Sequence, residues 1–196
     1  MSNTNFNKQL EELIVAGFGG QGVLSLGMTL AYAGMVEGKE ISWMPSYGPE
    51  MRGGTANCIT ILSSEKISSP IVSLFDTAIV LNQPSMDKFA PRVKEGGLLL
   101  YESQNILQPS LRKDIDVIGI PALREAMKMK NAKVMNIIML GAYLHLTQLV
   151  KIESVMEALK KVLPEKYHHL LLLNEEALYR GEELVHESRE GVMMVC

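Results

Sequence analysis

The stretch that decides the fold is Leu13-Ile-Val-Ala-Gly-Phe-Gly-Gly-Gln-Gly22, which leads into the small and apolar residues 23–36. Its first four residues form a short apolar run, typical of a strand that is covered on both faces. Residues 17–22 then fit the pattern G-x-G-x-x-G, whose glycines allow a tight turn between a strand and a helix. We therefore predict a buried strand, a glycine turn and a helix that packs closely on a sheet.

The same region, residues 13–36, carries no charged side chain and is long enough in principle to cross a bilayer. Four glycines within residues 17–22 would, however, break a membrane helix near its start. The opening residues 1–9 are mostly polar and lack the basic start and apolar core of a secretory signal. We expect a cytoplasmic protein with no membrane association.

Strand-like and helix-like segments alternate through the first two thirds of the chain, and helix-like segments close it. The further predicted strands are 41–44, 57–62, 77–81, 97–101 and 116–120, and the further predicted helices are 85–93, 121–130, 134–149, 152–162 and 164 to about 183. This order favours an α/β fold with a single-domain, open, mostly parallel twisted sheet, helical cover and a C-terminal helical segment. Residues 1–10 are expected to form a polar N-terminal tail, and residues 11–196 the domain.

Charge and cysteine content exclude several classes of function. The 19 basic and 22 acidic side chains give a net charge of −3 without a long basic run, which disfavours nucleic-acid binding. Cys58 and Cys196 cannot form a four-sulfur site, and the sequence has no CxxC. We therefore predict no metal site or iron–sulfur cluster in this chain, so that any electron transfer requires another chain.

The glycine turn is the first candidate ligand site. Backbone amides at the start of the following helix, together with the helix dipole, attract an anion. The alternative is that small residues there only let the helix and strand pack closely. A dinucleotide would require an acidic side chain at the end of the second strand. Glu37 and Glu40 have the approximate spacing but precede the predicted strand 41–44, so NAD binding is disfavoured.

Two further segments follow predicted strands, where open α/β sheets bind ligands. The first is Tyr47-Gly-Pro-Glu-Met-Arg-Gly-Gly54, in which Arg52 offers a planar fork for a carboxylate or phosphate. A solvated arginine–glutamate pair is the alternative for this loop. The second is Asn82-Gln-Pro-Ser85, whose amides could bind a ligand but are better explained as a helix cap. The candidate cofactor-binding residues are Gly17, Gly19, Gly20, Gln21, Gly22, Tyr47, Met51, Arg52, Gly53, Gly54 and Asn82. We expect the glycine turn and the Arg52 segment to converge on one rim and receive an anionic group.

The sequence indicates no convincing nucleophile or acid–base pair. His145 lies within an apolar predicted helix and is interpreted as a hydrogen-bonded core or interface residue. His168 and His169 are adjacent and cannot form an i, i+4 metal pair. The catalytic residues of this chain are therefore left unassigned.

Three motifs, taken together, resemble the gamma subunit of the 2-oxoacid:ferredoxin oxidoreductases over residues 12–180. They are the glycine turn, the segment Tyr47-Gly-Pro-Glu-Met-Arg-Gly-Gly-Thr-Ala-Asn-Cys58, and Asn82-Gln-Pro-Ser-Met-Asp-Lys-Phe89, followed by Gly96-Gly97 before a strand. The form Met51-Arg-Gly-Gly-Thr55 resembles the 2-oxoglutarate and branched-chain 2-oxoacid members more than the pyruvate members. Residues 11–196 would then be a pyruvate/ketoisovalerate oxidoreductase gamma-type catalytic domain.

The resemblance implies an oxidoreductase of several subunits, with 2-oxoglutarate as the expected substrate and succinyl-CoA, CO2 and reduced ferredoxin as products. It implies alpha, beta and ferredoxin-like sister subunits that hold thiamine diphosphate and iron–sulfur clusters, with ferredoxin as the acceptor. It leaves coenzyme A as the candidate ligand of this chain, which would contribute to the active-site surroundings without being catalytic alone. Apolar late helices are consistent with this assembly, with a homodimer or with simple core packing.

Two alternatives remain open at the level of the sequence. One is a stand-alone Rossmann-like NAD(P)-binding oxidoreductase or sensor that uses the glycine turn. The other is a purely architectural subunit that touches no ligand.

Overall fold

A computed structural model describes residues 9–47 and 55–193, and in these ranges the chain forms one six-stranded sheet. The strands are β1 (Leu10–Phe18), β2 (Glu40–Tyr47), β3 (Thr55–Ser63), β4 (Phe75–Val80), β5 (Val93–Glu102) and β6 (Asp116–Ile120). Their order across the sheet is β2-β3-β1-β4-β5-β6. β1, β4, β5 and β6 are parallel neighbours, whereas β3 runs antiparallel to both β1 and β2. The predicted open, mostly parallel α/β sheet is confirmed.

The described residues also form six α-helices. They are α1 (Val23–Val36), α2 (Gln83–Phe89), α3 (Ala122–Lys128), α4 (Met135–Thr147), α5 (Ile152–Val162) and α6 (Leu171–Met193). The predicted C-terminal helical segment is therefore present. Among the described helices, none is both long enough and apolar enough to span a membrane.

The sheet is buried on both faces because successive residues of β1 enter different cores. Leu13 and Val15 belong to a large core with α1, α3, α4, α5 and α6, whereas Ile14 and Ala16 belong to a smaller core with α2. All four side chains are at most 1% exposed. This two-sided burial is what the short apolar run at the start of the deciding stretch predicts.

Two predicted helices had wrong boundaries. The predicted helix 85–93 begins earlier, at Gln83, because Asn82 caps it, and it ends at Phe89 in a short 3-10 helix, Ala90–Arg92. Val93 is instead the first residue of β5, where it pairs with Phe75. The predicted helix from residue 164 to about 183 begins as a 3-10 helix, Glu165–Leu170, and becomes α-helical only at Leu171. It continues to Met193, ten residues beyond its predicted end.

The helices α4 and α6 cross unusually closely at two glycines. A Cβ atom on Gly141 would lie 2.0 Å from the carbonyl oxygen of Leu178, and one on Gly181 would lie 2.1 Å from that of Ile138. Backbone therefore packs directly against backbone at this crossing. The contact fixes the position of α6 against the sheet.

Candidate functional site

The candidate site lies at the carboxyl edge of the sheet, where β1 and β4 end side by side. Leu81, which follows β4, donates its backbone N–H to the carbonyl oxygen of Ala16 at 2.9 Å. The glycine turn follows β1 at this point and leads directly into α1. An open α/β sheet binds ligands outside the carboxyl ends of its strands, so the topology brings the turn to the expected edge.

Gln21 holds the turn together with its side-chain amide. Its Oε1 accepts a hydrogen bond from the backbone N–H of Phe18 at 2.6 Å, and its Nε2 donates to the carbonyl oxygen of Leu81 at 3.1 Å. Its own backbone N–H donates to the carbonyl oxygen of Phe18 at 3.2 Å. Both side-chain polar atoms therefore bond within the protein. Gln21 joins the ends of β1 and β4 and does not present its side chain to a ligand in this structure.

The positions of the turn require glycine for different physical reasons. Gly17 is buried, and a Cβ there would lie 2.7 Å from Oε1 of Gln21, so this position serves close packing. Gly20 has φ of 94°, a left-handed backbone conformation that favours glycine. A Cβ placed on it would meet no atom within 4 Å, so the turn faces open space here. Gly22 has φ of 77°, and Asn136 approaches it closely, its Nδ2 donating to the carbonyl oxygen of Gly22 at 3.2 Å.

The first turn of α1 is open to an anion. Gly22 precedes the helix without a side-chain cap, and the first turn contains no acidic residue. A pocket of about 220 Å³ lies at this point, lined by Phe18, Gly19, Gly20, Gly22, Val23, Leu24, Ser25 and Ala56. Pockets for drug-sized molecules are usually larger than roughly 300 Å³. The pocket therefore suits a phosphate or carboxylate group better than a whole nucleotide.

Asn82 caps α2, as the sequence favours. Its Oδ1 accepts a hydrogen bond from the backbone N–H of Ser85 at 2.9 Å. The side chain is 2% exposed, and its Nδ2 has no hydrogen-bond partner among the described residues. Asn82 therefore keeps one donor without a partner in the described part of the chain, next to Leu81 at the end of β4. A buried donor without a partner is costly, which makes this side chain notable.

The arginine-bearing loop lies largely outside the described residues, which exclude 48–54 and therefore Met51, Arg52, Gly53 and Gly54. Its two flanking residues are described. The backbone of Thr55 pairs with Phe18, the last residue of β1, and the backbone of Tyr47 pairs with Ala56. Both ends of the loop are therefore anchored at the carboxyl edge, and the Thr55 end lies beside the glycine turn.

The sheet order counts against a dinucleotide site. β3 lies between β1 and β2, so the end of β2 is roughly 9–10 Å from β1 instead of adjacent to it. Glu37 accepts hydrogen bonds from the backbone N–H of Lys151 at 2.7 Å and from Oγ of Ser154 at 2.8 Å, which places it at the start of α5. Glu40 begins β2, at the opposite edge of the sheet. Neither carboxylate reaches the glycine turn.

Cys58 has no nucleophilic role in this arrangement. It is fully buried, and this burial raises the pKa of its thiol to about 12. Its Sγ lies 3.5 Å from the carbonyl oxygen of Val23. A thiol with so high a pKa stays protonated and unreactive near neutral pH.

Three of the four histidines make different contacts. Nε2 of His168 lies 3.0 Å from the carbonyl oxygen of Leu163 and 3.1 Å from that of Lys160, so this ring packs locally. His145 is half-buried, and its Nδ1 lies 3.2 Å from Oε1 of Glu182. His186 stacks edge-on against His145 with ring centroids 4.5 Å apart. The sequence analysis did not single out this group of residues, although Glu182 and His186 have the i, i+4 spacing that could have indicated it. The prediction of no metal site stays a prediction.

Comparison with known proteins gives a consistent result. The family model for pyruvate ferredoxin/flavodoxin oxidoreductase matches residues 12–184. The chain belongs to this family. The family part of the resemblance drawn from the three motifs is thereby confirmed.

The relatives of known role are subunits of oxoacid oxidoreductases. Ketoisovalerate oxidoreductase subunit VorA of Methanothermobacter thermautotrophicus is 43% identical over 90% of this chain, which spans 37% of that protein's length. 2-Oxoglutarate synthase subunit KorC of Methanocaldococcus jannaschii is 34% identical over 92% of this chain and 96% of its own. The chain thus corresponds to little more than a third of one relative and to nearly all of the other.

Two solved structures share the fold. The gamma subunit of a keto/oxoacid ferredoxin oxidoreductase from Geobacter sulfurreducens has a TM-score of 0.80 and 28% identity, over 92% of this chain and 99% of its own. The 2-oxoglutarate:ferredoxin oxidoreductase of Magnetococcus marinus, with 2-oxoglutarate, coenzyme A and succinyl-CoA bound, has a TM-score of 0.83 and 26% identity, over 92% of this chain and 32% of that one. In the pyruvate ferredoxin/flavodoxin oxidoreductase family, this fold therefore occurs both as a separate subunit and within a longer chain.

Proposed function

We propose that this chain is the gamma subunit of a 2-oxoacid:ferredoxin oxidoreductase and that it forms part of the coenzyme A and active-site surroundings. The observation that carries the proposal is the uncapped start of α1 beside a glycine turn at the carboxyl edge of the sheet. Coenzyme A carries several phosphates, and such a helix start attracts them. A relative of the same fold was solved with coenzyme A bound, which supports this ligand over others.

Arg52 supplies the positive charge in this proposal. It stands three residues before Thr55, so its Cα lies within roughly 11 Å of the Cα of Thr55 by chain length alone. Thr55 pairs with Phe18 at the edge of the glycine turn. A guanidinium within this reach would contact a phosphate or carboxylate held at the start of α1. Tyr47, Met51, Gly53 and Gly54 would line the same rim.

The glycine turn contributes backbone amides in this proposal, and its side chains play supporting roles. Gly19 and Gly20 are exposed and leave the approach free, while Gly17, Gln21 and Gly22 hold the turn in shape. Asn82, the remaining candidate, caps α2 and keeps its buried Nδ2 without a hydrogen-bond partner among the described residues. In this proposal the site binds and orients an anion, and the described residues of the turn take no part in bond breaking.

The oxidation itself is assigned to sister subunits. In the reaction, a 2-oxoacid, coenzyme A and oxidised ferredoxin give an acyl-CoA, CO2 and reduced ferredoxin. Thiamine diphosphate would supply the decarboxylation chemistry, and iron–sulfur clusters the electron transfer. Within the described residues, the one thiol is the buried Cys58, which is too few for a cluster. The proposal therefore assigns the clusters, and with them thiamine diphosphate, to alpha, beta and ferredoxin-like partners, as the resemblance implies. The sequence favours 2-oxoglutarate as substrate, and the VorA relative supports 2-oxoisovalerate as the alternative.

Kinetics of the assembled complex test the role of Arg52. We expect Arg52→Ala to raise the apparent KM for coenzyme A or the 2-oxoacid by about tenfold or more, because a charge-assisted hydrogen bond contributes roughly 1.5–3 kcal/mol. Arg124→Ala on α3 is the matched control, since its side chain is more than half exposed and far from the turn in sequence. Unchanged KM and turnover in Arg52→Ala would overturn the proposed role.

A purely architectural role is the alternative that a specific observation favours, because Gln21 and Gly17 both serve packing. Purification of the tagged chain from its native extract separates these possibilities. Co-purification with a thiamine-binding chain and a ferredoxin-like chain is expected whether the chain contacts the ligand or is purely architectural. Loss of coenzyme A binding in turn variants, with the complex still assembled, is expected only if the turn contacts the ligand. Titration of the isolated chain with NADH and NADPH is expected to give no binding.

A further inference from the structure

A cluster of side chains that carry metal-ligating atoms, His145, Glu182 and His186, lies where α4 and α6 cross. Nδ1 of His145 is 3.2 Å from Oε1 of Glu182, and the ring of His186 packs edge-on against that of His145 at an interplanar angle of 61°. Each of the three residues offers one donor atom, and these atoms all lie within 4.8 Å of one another. His145 and Glu182 are half-buried and His186 is exposed, so the cluster is open to solvent on one side.

This cluster is separate from the glycine turn. The start of α4 touches the turn through Asn136, and His145 follows nine residues later, roughly 13–14 Å along the helix axis. Near the same end of α4, the hydroxyl of Tyr143 lies 3.3 Å from Oε1 of Glu11, close to the amino end of β1. The cluster therefore lies toward the opposite edge of the sheet, and the proposed coenzyme A site does not use it.

The fold holds the donors of the two helices in place. Gly141 on α4 lies one helical turn before His145, and Gly181 on α6 immediately precedes Glu182. These are the two glycines at which the helices pack backbone to backbone. Glu182 and His186 are four residues apart on α6 and so project from one face. A metal at this position would meet donors whose separation is already set by the helix crossing.

We propose that His145, Glu182 and His186 bind one divalent transition-metal ion of the zinc class. Two imidazoles and one carboxylate are a donor set that zinc accepts in tetrahedral geometry. Imidazole donors disfavour magnesium and calcium, which prefer oxygen ligands. Tetrahedral zinc requires donor atoms roughly 3.4 Å apart, given Zn–N and Zn–O distances near 2 Å. The His145–Glu182 distance already satisfies this, and the exposed His186 completes the set by side-chain rotation.

The ion would clamp α4 to α6 and keep a fourth coordination position open to water. The clamp joins two helices of the large core. It therefore stabilises the folded chain by binding it in preference to the unfolded chain.

Equilibrium dialysis and cobalt spectroscopy test the site. The probe is Zn²⁺, or Co²⁺ for its visible absorption, added to the full chain in a Cys196→Ser background after chelator treatment. We expect about one equivalent of Zn²⁺ at a dissociation constant of about 1 μM or below. Co²⁺ should give the intense visible bands of tetrahedral coordination, and Zn²⁺ should raise the thermal midpoint.

The variant His186→Ala is the decisive change, because His186 is exposed and its loss does not disturb the core. It should weaken Zn²⁺ binding by about tenfold or more and abolish the cobalt bands. His169→Ala is the matched control, an exposed histidine outside the cluster, and it should bind as the parent chain does. Binding that His186→Ala retains, or the absence of stoichiometric binding in the parent chain, would overturn the proposal.

Discussion

Gln21 joins two strand ends that are far apart in the sequence. Its amide accepts from Phe18 and donates to Leu81, sixty residues along the chain. The sequence predicts the turn itself because the glycine pattern is local. It could not predict the inward orientation of Gln21, because that depends on which strand lies beside β1. The helix cap by Asn82 was predictable since it involves only the next three residues.

Replacement of Gln21 by alanine tests this bridge. Gln21→Ala should lower the free energy of unfolding by about 1–3 kcal/mol, because the N–H of Phe18 and the carbonyl of Leu81 lose their partner. Gln83→Ala is the matched control, since Gln83 makes three side-chain hydrogen bonds, with Asp87 and Gln108, but all three are exposed to solvent. Its cost should stay within about 0.5 kcal/mol. Equal losses in urea denaturation of the two variants would argue against the bridge.

At the scale of elements, the sequence predicts strands and most helices because their apolar periodicity is local. The end of the predicted helix 85–93 was wrong because it depends on distant pairing. The local sequence around Val93 favours a helix, but Val93 is the first residue of β5 because it pairs with Phe75 on the neighbouring strand. The close crossing of α4 and α6 was also not predictable, because a glycine within a helix does not indicate which helix approaches it.

Alanine at Gly141 tests that crossing. The new Cβ would lie 2.0 Å from the carbonyl oxygen of Leu178, and backbone cannot move aside as a side chain does. Gly141→Ala should therefore lower the free energy of unfolding by about 2 kcal/mol or more. Gly34→Ala on α1 is the matched control, since its Cβ would meet the side-chain ends of Ile41 and Leu62. It should change stability by less than about 1 kcal/mol, because a gain in helix propensity offsets the adjustment.

An ion-pair cluster joins α3 to α6 and makes stability depend on pH. Oε2 of Glu125 lies 3.1 Å from Nε of Arg180, and its Oε1 lies 2.8 Å from Nζ of Lys128. Burial alone would raise the pKa of Glu125, but the hydrogen bonds and charges of Lys128 and Arg180 outweigh it and lower this pKa below the ordinary 4.5. The stabilisation is therefore present above pH 4.5 and is lost as the pH falls through the lowered value.

Glu125→Gln tests this dependence. At pH 7 the variant should unfold with a free energy lower by about 1–3 kcal/mol, because the three hydrogen bonds from Arg124, Lys128 and Arg180 lose their charged acceptor. The difference from the parent chain should shrink on acidification, as Glu125 becomes protonated in the parent. Unfolding curves measured at pH 7, 5 and 3.5 check the trend. A difference that stays constant with pH would contradict the lowered pKa.

At the scale of the molecule, the sequence predicts the class of sheet, but it does not predict the order of its strands. Alternating strands and helices indicate a parallel sheet, yet β3 enters antiparallel between β1 and β2. That insertion brings the start of β3, and with it the end of the arginine-bearing loop, next to the glycine turn. It also moves the end of β2 away from β1. The antiparallel position of β3 between β1 and β2 thus supports the anion site and counts against a dinucleotide site.

Hydrogen–deuterium exchange of the assembled complex, with and without coenzyme A, tests the central claim most directly. The claim is that the glycine turn, the start of α1 and the Arg52 loop together receive an anionic group of the ligand. We predict that coenzyme A slows exchange at residues 18–25 and 48–54 of this chain, and that Arg52→Ala reduces this protection. Protection confined to other parts of the complex, with these two segments unchanged, would contradict the account.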